Sequence, residues 1–372
     1  MDMFSLLKRK YKPLNRIEVS SLALHHNYNY LAQSSGLAIA PALKSNAYGH
    51  GLGLVAKALD PVGAPFFCVD SIYEGYELLK EKIKTPILIM GYVDPDNLKG
   101  KKLPFLYAVS TKEMLEAVYR YQPHAGIHIF VDTGMHREGV PMDALPAIIS
   151  QIQSMKGVHI EGLMSHFAAA DVYGDLTKEQ VKNFQIAQVL FHTSGIQPKW
   201  IHMANSLGVL HYKKYRGKIG NLARPGIATY GIDPLNKNTV LQPALTFSST
   251  LVQIKDLAKG ESSGYDFTFT AKKDMRIGVV AAGYNDGVDR RLSNVGFMKI
   301  GETFCKILGR VSMNLTMIDI SEIKDSKVGN KVYVYTNVTL AKNSFNASAI
   351  MVDTTAYTLL VQLSPLTKRI VV

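Results

Sequence analysis

The stretch ALKSNAYGHG ends an apolar run on Lys44, sets Tyr48 four residues later and closes with Gly49, His50 and Gly51. A lysine amine at the end of a rigid strand is a nucleophile able to form an imine with a carbonyl ligand. On its own such a lysine reads equally well as a solvated strand end. Two glycines bracketing His50 beside a tyrosine make a poor surface loop and a good close-approach turn. Further groups of the same kind stand just beyond later apolar runs: Arg137 after VDTGMH, His166 in MSHF, Asn205 and Ser206 in MANS, and Arg224 with Gly226 in RPGIA. Taken singly, His166 reads as a core histidine and Arg224 as a surface charge. Arriving together at successive strand ends, they put one lysine among hydroxyls, glycine backbone and arginines. That set suits an anionic, phosphate-bearing cofactor held by backbone N–H groups and a serine hydroxyl, with the lysine as covalent anchor.

The elements that must position these groups are legible as a rhythm. From residue 36 to about 231, short apolar runs alternate with longer amphipathic ones: LAIAPALK, PFFCVD, PILIMGYV, PFLYAVS, GIHIFVDTG, VHIEGLMSHF, WIHMANS and RPGIATYG, with segments such as SIYEGYELLKEKI, TKEMLEAVYRYQ and TKEQVKNFQIAQVLFHTSG between them. Tyr73, Tyr76, Leu78 and Leu79 carry helix-period spacing, and Ser71 and Thr111 stand where N-caps belong. Roughly eight strands in about 200 residues, with helices between most of them, is the pattern of a (β/α)8 TIM-type barrel, and an open doubly wound sheet gives the same periodicity. After YGIDPLNKNTV the texture changes to β-branched, alternating segments such as ALTFSSTLVQIKDL, MRIGVVAAGY and NKVYVYT, separated by turn residues. The reading is therefore α/β: a barrel domain over residues 12–240 and a mainly β domain over 241–372, with helix returning only in SASAIMVDTTAYTLLVQL and the joint near Pro234.

Composition bounds the partners. The 372 residues are 47% hydrophobic, enough for at least one full core, and carry a formal net charge of +12. The basic runs KRKYK and KKYRGK are short and lack interleaved aromatics, so nucleic-acid binding is not expected. No segment approaches the roughly 20 apolar residues of a membrane span. With only Cys68 and Cys305, and no secretory pattern in MDMFSLLKRKYKPLN, a disulfide framework is not expected and a cytoplasmic address is.

The ordered segments ALKSNAYGHG, VDTGMHREG, MSHFAAAD, ANSLG, RPGIATYG, GYDFTF, GYNDGVDRR and GRVSMNLTMIDI resemble the motif series of the alanine racemases, fold type III enzymes that use pyridoxal 5'-phosphate (PLP). The resemblance runs from residue 40 to about residue 320, with a weaker echo at Tyr357. It implies an isomerase that interconverts L- and D-alanine, supplying D-alanine for peptidoglycan, and a head-to-tail homodimer in which the β domain of each subunit completes the other's site. Residue by residue, it implies that Lys44 binds PLP and acts as base on one face of the substrate α-carbon, while Tyr265, from the neighbouring subunit, serves the opposite face. Arg224 would face the pyridine nitrogen, supported by His166. The phosphate would be held by Tyr48, Ser206, Gly226, Ile227 and Tyr357, with Asn205 beside them. Arg137 and the backbone at Met313 would bind the substrate carboxylate, and Tyr284 would narrow the entrance against larger amino acids.

The sequence also departs from that family. Phe130 stands where the family often carries a carbamylated lysine that orients the nearby arginine, so Arg137 must be held by another anion or by different packing. Asn314 replaces a usual aspartate, and the ending QLSPLTKRIVV differs from the familiar one. Other readings remain open at this level: a broad-specificity racemase acting on Ser, Lys or Arg, a PLP decarboxylase using Cys305, and a single-barrel PLP-binding protein, against which the residues after the barrel argue.

Overall fold

The structure, a computed structural model, describes residues 11–237 and 240–372; the stretch MDMFSLL and the first three residues of KRKYK lie outside the described residues. The chain divides into an α/β unit, Leu22–Tyr48 with Leu52–Leu241, and a β-rich unit, Gln242–Val372 with Gly49–Gly51 and the described part of Met1–Ser21.

In the α/β unit six strands run parallel in chain order: Phe67–Val69, Ile87–Ile89, Phe105–Val109, Gly126–Asp132, His159–Met164 and Trp200–His202. Two shorter strands, Ala38–Ile39 and Leu222–Ala223, pair parallel with each other. Single parallel bridges at Ala42–Cys68 and Ala204–Ala223 tie that pair to the two ends of the six-strand run. Because side chains alternate across a strand, one set from each faces a common interior. Ala40, Ala42, Phe66, Cys68, Leu88, Ala108, Phe130, Met164 and Leu222 form that buried cluster.

The helices start where the sequence places their caps. Ser71 Oγ accepts from Glu74 N at 3.2 Å before the helix Ile72–Lys80, and Thr111 Oγ1 accepts from Met114 N at 3.2 Å before Lys112–Tyr121. Each such cap contributes about 1 kcal/mol. Lys112–Tyr121 buries Met114, Leu115, Ala117 and Val118, the stripe expected of a helix laid on a sheet. In Ile72–Lys80 the buried residues are Gly75 and Leu78, whereas Tyr73, expected on the apolar face, is exposed.

The β-rich unit is organised by one long strand, Leu245–Leu257. Its first half pairs antiparallel with Arg16–Val19 and Lys331–Tyr335, and past a bulge between Leu251 and Gln253 its second half pairs with Met275–Val280. Thr316–Asp319, Thr303–Leu308 and Phe297–Ile300 complete the sheet. Arg16–Val19 also lies parallel to Lys368–Val371. This strand falls inside the 12–240 span read as barrel, yet belongs to the other sheet. Its pattern explains why: Ile17 and Val19 are fully buried while Arg16 and Glu18 are not, the alternation of a half-covered antiparallel sheet rather than the continuous apolar run of a parallel one. The late helical stretch is two helices, Phe345–Met351 and Ala356–Val361, interrupted at Asp353, whose φ of +50° is left-handed. Cys68 and Cys305 are free and buried, and among the described residues no helix is long and apolar enough to cross a membrane.

Candidate active site

Lys44 stands on a backbone that is stitched on both sides. Leu43 N donates to Cys68 O at 2.7 Å, Ala42 N donates to Pro225 O at 2.9 Å, and the Tyr230 hydroxyl donates to Ala42 O at 2.8 Å. Immediately after it, Ser45, Asn46, Ala47 and Tyr48 have φ of +56°, +54°, +53° and +52°. This is a full left-handed turn made of residues that carry side chains. At about 1–2 kcal/mol per residue, the turn stores on the order of 4–8 kcal/mol. Such strain persists only where surrounding bonds over-determine it. Some of those bonds lie within the segment: Ala47 N donates to Leu43 O at 2.8 Å, and Leu52 N donates to Asn46 Oδ1 at 2.8 Å. The Lys44 ammonium pairs with Asp70 Oδ1 at 3.1 Å, an ion pair open enough to water to contribute about 0–1 kcal/mol.

The turn delivers Tyr48 to Gly226. A Cβ built on Gly226 would lie 2.1 Å from the Tyr48 hydroxyl oxygen, so only glycine leaves room for the phenol. The amides of Gly226 and Ala228 both donate to Ser206 Oγ, at 3.0 and 3.2 Å, and Ile227 begins the short helix Ile227–Tyr230 between them. Tyr48, Ser206, Gly226 and Ile227 thus converge. Asn205 does not join them through its side chain, which caps the helix Ser206–Leu210 by accepting from Gly208 N at 3.0 Å.

Arg224 is buried among acceptors rather than anions. Its Nη2 donates to Ser165 O at 2.6 Å and its Nη1 to His202 O at 2.9 Å, and Nη1 also donates to His202 Nδ1. His166, the partner expected from the sequence, sits at the outer limit of bonding distance, 3.5 Å. The main support is therefore His202, backed by His128, whose Nδ1 lies 2.8 Å from His202 Nε2. Because Arg224 can only donate, His202 Nδ1 must accept, which leaves its Nε2–H to donate to His128 Nδ1. Gly162 makes this possible: a Cβ there would lie 2.0 Å from His128 Nδ1.

The electrostatics follow from burial. Desolvation, and then the neighbouring Arg224, pull His128 and His166 down to about 3 and hold His202 well below its ordinary value; Arg137 and Lys44 push His166 in the same direction. Burial also pulls Arg224 down to about 10, which leaves it protonated at neutral pH, and pushes the Cys68 thiol up to about 12 against the opposing pull of Arg224 and Lys44. Three cations therefore influence one region whose histidines are neutral. A dianionic phosphate ester with an aldehyde meets donors and positive charge here, the nearest carboxylates, Asp70 and Glu74, being bound to the lysine and its turn, so the residues fit PLP.

Arg137 lies at the end of a loop set by Asp132, whose Oδ1 accepts from the amides of Gly134, Met135 and His136 at 2.9–3.1 Å. Burial raises that carboxyl, but these amides together with the His136 ring bring it below its ordinary value overall. The anion beside Arg137 is Glu138, at 3.5 Å, with Arg137 half exposed. Phe130 turns into the apolar interior, packed in the cluster with Ala108 and Met164.

The β-rich unit carries the other expected residues on its surface. Tyr265 is 67% exposed, in a short helix Tyr265–Phe267 entered through Gly264 at φ +83°; beside it Arg310 pairs with Asp266 at 3.0 Å. Tyr284 and Met313 sit on touching loops: Tyr284 N donates to Ser312 O at 3.0 Å and Asn285 N to Met313 O at 2.9 Å. Gly283 permits this approach, since a Cβ there would lie 2.2 Å from Ser312 O. Tyr357 lies in the helix Ala356–Val361 of the same unit. His128, His202, Asp70 and Glu74 are the neighbours of the site that the motif reading missed. For the two histidines the signal was the period-two alternation of their strands, which puts His128 on the interior face with Phe130.

Two family models match the chain: alanine racemase, N-terminal domain, over residues 19–234, and alanine racemase, C-terminal domain, over residues 244–371. The alanine racemase of Syntrophobacter fumaroxidans is 34% identical, covering 85% of this chain and 86% of its own. Among solved structures, alanine racemase from E. faecalis superposes with a TM-score of 0.86 at 28% identity, covering 98% of this chain and 99% of its own. The Bacillus anthracis alanine racemase with bound L-Ala-P gives a TM-score of 0.86 at 27% identity, covering 97% and 96%. These relatives support L/D-alanine racemisation and do not favour broad specificity. With both halves of the chain matched in order and a lysine, an arginine and a hydroxyl cradle gathered in the first, the chain belongs to the alanine racemase family.

Proposed function

We propose that this chain is a PLP-dependent isomerase that interconverts L- and D-alanine by two bases, Lys44 and Tyr265, in a homodimer whose sites are each completed by the partner's β-rich unit. The observation that carries the reading is the convergence, in one unit, of Lys44, the buried Arg224 and the Tyr48–Ser206–Gly226 cradle. The parallel bridges Ala42–Cys68 and Ala204–Ala223 favour an eight-stranded barrel as the scaffold behind it. PLP, when bound, supplies an electron sink that acidifies the α-hydrogen of the attached amino acid.

The remaining work falls to the chain. Lys44 Nζ would hold the cofactor, and its free amine would remove or return the α-proton on one face. The Tyr265 hydroxyl does the same on the other face; its exposure, with that of Tyr284 and Met313, supports its being covered by a second copy. Arg224 would present a positive charge to the cofactor's ring and so restrain the sink, where a carboxylate would strengthen it. The neutral His202 and His128 hold Arg224 without neutralising it. Tyr48, Ser206, Gly226 and Ile227, with Tyr357, take the phosphate. Arg137 and the Met313 backbone take the substrate carboxylate, and Tyr284 narrows the entrance, where each surplus methylene costs about 1–3 kcal/mol. A cytoplasmic enzyme supplying D-alanine for peptidoglycan fits these features, and the two buried free thiols suit a reducing compartment.

The test is to give the full chain PLP with L-alanine, and separately with D-alanine, and follow optical activity while assaying pyruvate and carbon dioxide. Loss of optical activity from both enantiomers without by-product is expected. Stoichiometric carbon dioxide, or activity with serine or lysine only, would overturn the reading.

A further inference from the structure

We infer that Glu74 is a positioning residue that holds the lysine-bearing turn in its left-handed form and thereby sets cofactor affinity; the inference rests on the reading that Lys44 carries PLP. In the sequence, SIYE spells a capping box, in which the glutamate carboxylate returns to the amide of its own N-cap serine. Only half of that box forms. Glu74 N donates to Ser71 Oγ, but the carboxylate is diverted out of its own helix: Oε1 accepts from Ser45 N at 2.6 Å and from Asn46 N at 3.4 Å, while Oε2 accepts from Asp70 N at 2.9 Å.

One half-buried carboxylate therefore ties together two strand ends, the one that carries Lys44 and the one that carries Asp70. Asp70 in turn pairs with the Lys44 ammonium. Ser45 and Asn46 are the first two left-handed residues after the lysine, so Glu74 grips the turn where its handedness is set. Amide bonds to a carboxylate are roughly twice as strong as those to a neutral acceptor, and they fix direction as well as distance. Through the turn, Glu74 locates both the anchor, Lys44, and Tyr48 against Gly226.

The test combines amide hydrogen exchange of the segment 43–52 in the PLP-free protein with equilibrium PLP titration. Glu74→Ala is expected to speed exchange at Ser45 and Asn46 and to weaken PLP binding by about tenfold to a hundredfold, the loss of bonds to a charged acceptor. Glu74→Gln, which keeps one acceptor, should fall between it and the wild type. Glycine adopts a left-handed φ freely, so adding Ser45→Gly to Glu74→Ala should restore about fivefold of the affinity, whereas Ser45→Gly alone should change it less than about twofold. A merely structural glutamate would lower the urea midpoint without being rescued at position 45. The inference is overturned if a folded Glu74→Ala protein binds PLP within about twofold of the wild type, or if glycine gives no rescue. Should Glu74→Ala fail to fold, Glu74→Gln carries the same comparison, and wild-type affinity in it would be refuting. A wild-type protein that does not bind PLP sinks the cofactor reading instead, and the exchange comparison alone then decides whether Glu74 holds the turn.

Discussion

The buried histidines make the PLP-free protein sensitive to mild acid. His128 and His166 lie at about 3 in the fold against an ordinary 6.5. In both, burial disfavours the charged ring first; Arg224 adds repulsion at each, with His159 near His128 and Arg137 and Lys44 near His166. The unfolded chain takes up these protons below pH 6.5 while the folded chain refuses them until near pH 3. The stability they contribute is therefore complete above pH 6.5 and is lost as pH falls toward 3. Integrating proton uptake between pH 7 and pH 5 gives about 2 kcal/mol for each ring, or about 4 kcal/mol for the pair. His202 shifts the same way and adds to the loss.

Carboxylates do not confuse this window. Asp60, Asp132 and Asp289 are held below their ordinary values, so their contribution is present above the usual carboxylate range and fades only below about pH 4. Urea titrations at pH 7, 6 and 5 measure the effect, read by the fluorescence of the single tryptophan, Trp200, which lies in the α/β unit. His128→Gln, which cannot titrate, should remove about 2 kcal/mol of the difference between pH 7 and pH 5. Equal urea midpoints at pH 7 and pH 5 in the wild type would refute the neutral, buried state assigned to these rings.

Four further outcomes are expected. Gly226→Ala drives a methyl into the Tyr48 hydroxyl and should weaken PLP binding by about fivefold to a hundredfold, the range for overpacking by about 1–3 kcal/mol, with the far-ultraviolet spectrum unchanged. Gly162→Ala pushes on the His128 ring and should lower stability by a similar amount, much of it recovered when His128→Ala is added; an absence of recovery would place the strain elsewhere. Phe130→Lys puts an amine into an apolar cluster and should cost about 3 kcal/mol in a urea titration. If Phe130 leaves Arg137 loosely held, that variant should also shift the alanine KM or turnover; unchanged kinetics would count against a weakened Arg137. Arg224→Glu should raise pyruvate formation relative to racemisation, and an unchanged ratio would remove the restraining role given to the arginine.

The parallel strands were legible because each is an apolar run bounded by turn residues, and the caps at Ser71 and Thr111 followed from residue type and position. The left-handed turn was not. Gly49 and Gly51 signalled a close turn, but the unusual backbone begins earlier, at Ser45, where nothing in a serine, asparagine, alanine or tyrosine announces a positive φ. The Glu74 carboxylate was hidden by a local motif that explained it too well. His128 and His202 were hidden for another reason: a polar residue inside a sheet is intelligible only once its partner, many residues away, is known. Arg16–Val19 fell within the barrel span for a related reason: its alternation suits a half-covered antiparallel sheet, but four residues ahead of a helix name no partner, and both of theirs lie more than 200 residues away.

That strand also orders events in time. Arg16–Val19 precedes the whole α/β unit in the chain, yet both of its neighbours, Leu245–Leu257 and Lys368–Val371, follow that unit. The α/β segments between them have every strand partner they need well before then. During synthesis the early strand must therefore stay unpaired, its buried pair Ile17 and Val19 exposed, until the rest of the sheet arrives. Closing so long a loop is entropically slow, so completion of the β-rich sheet, rather than of the parallel one, should set the pace of maturation.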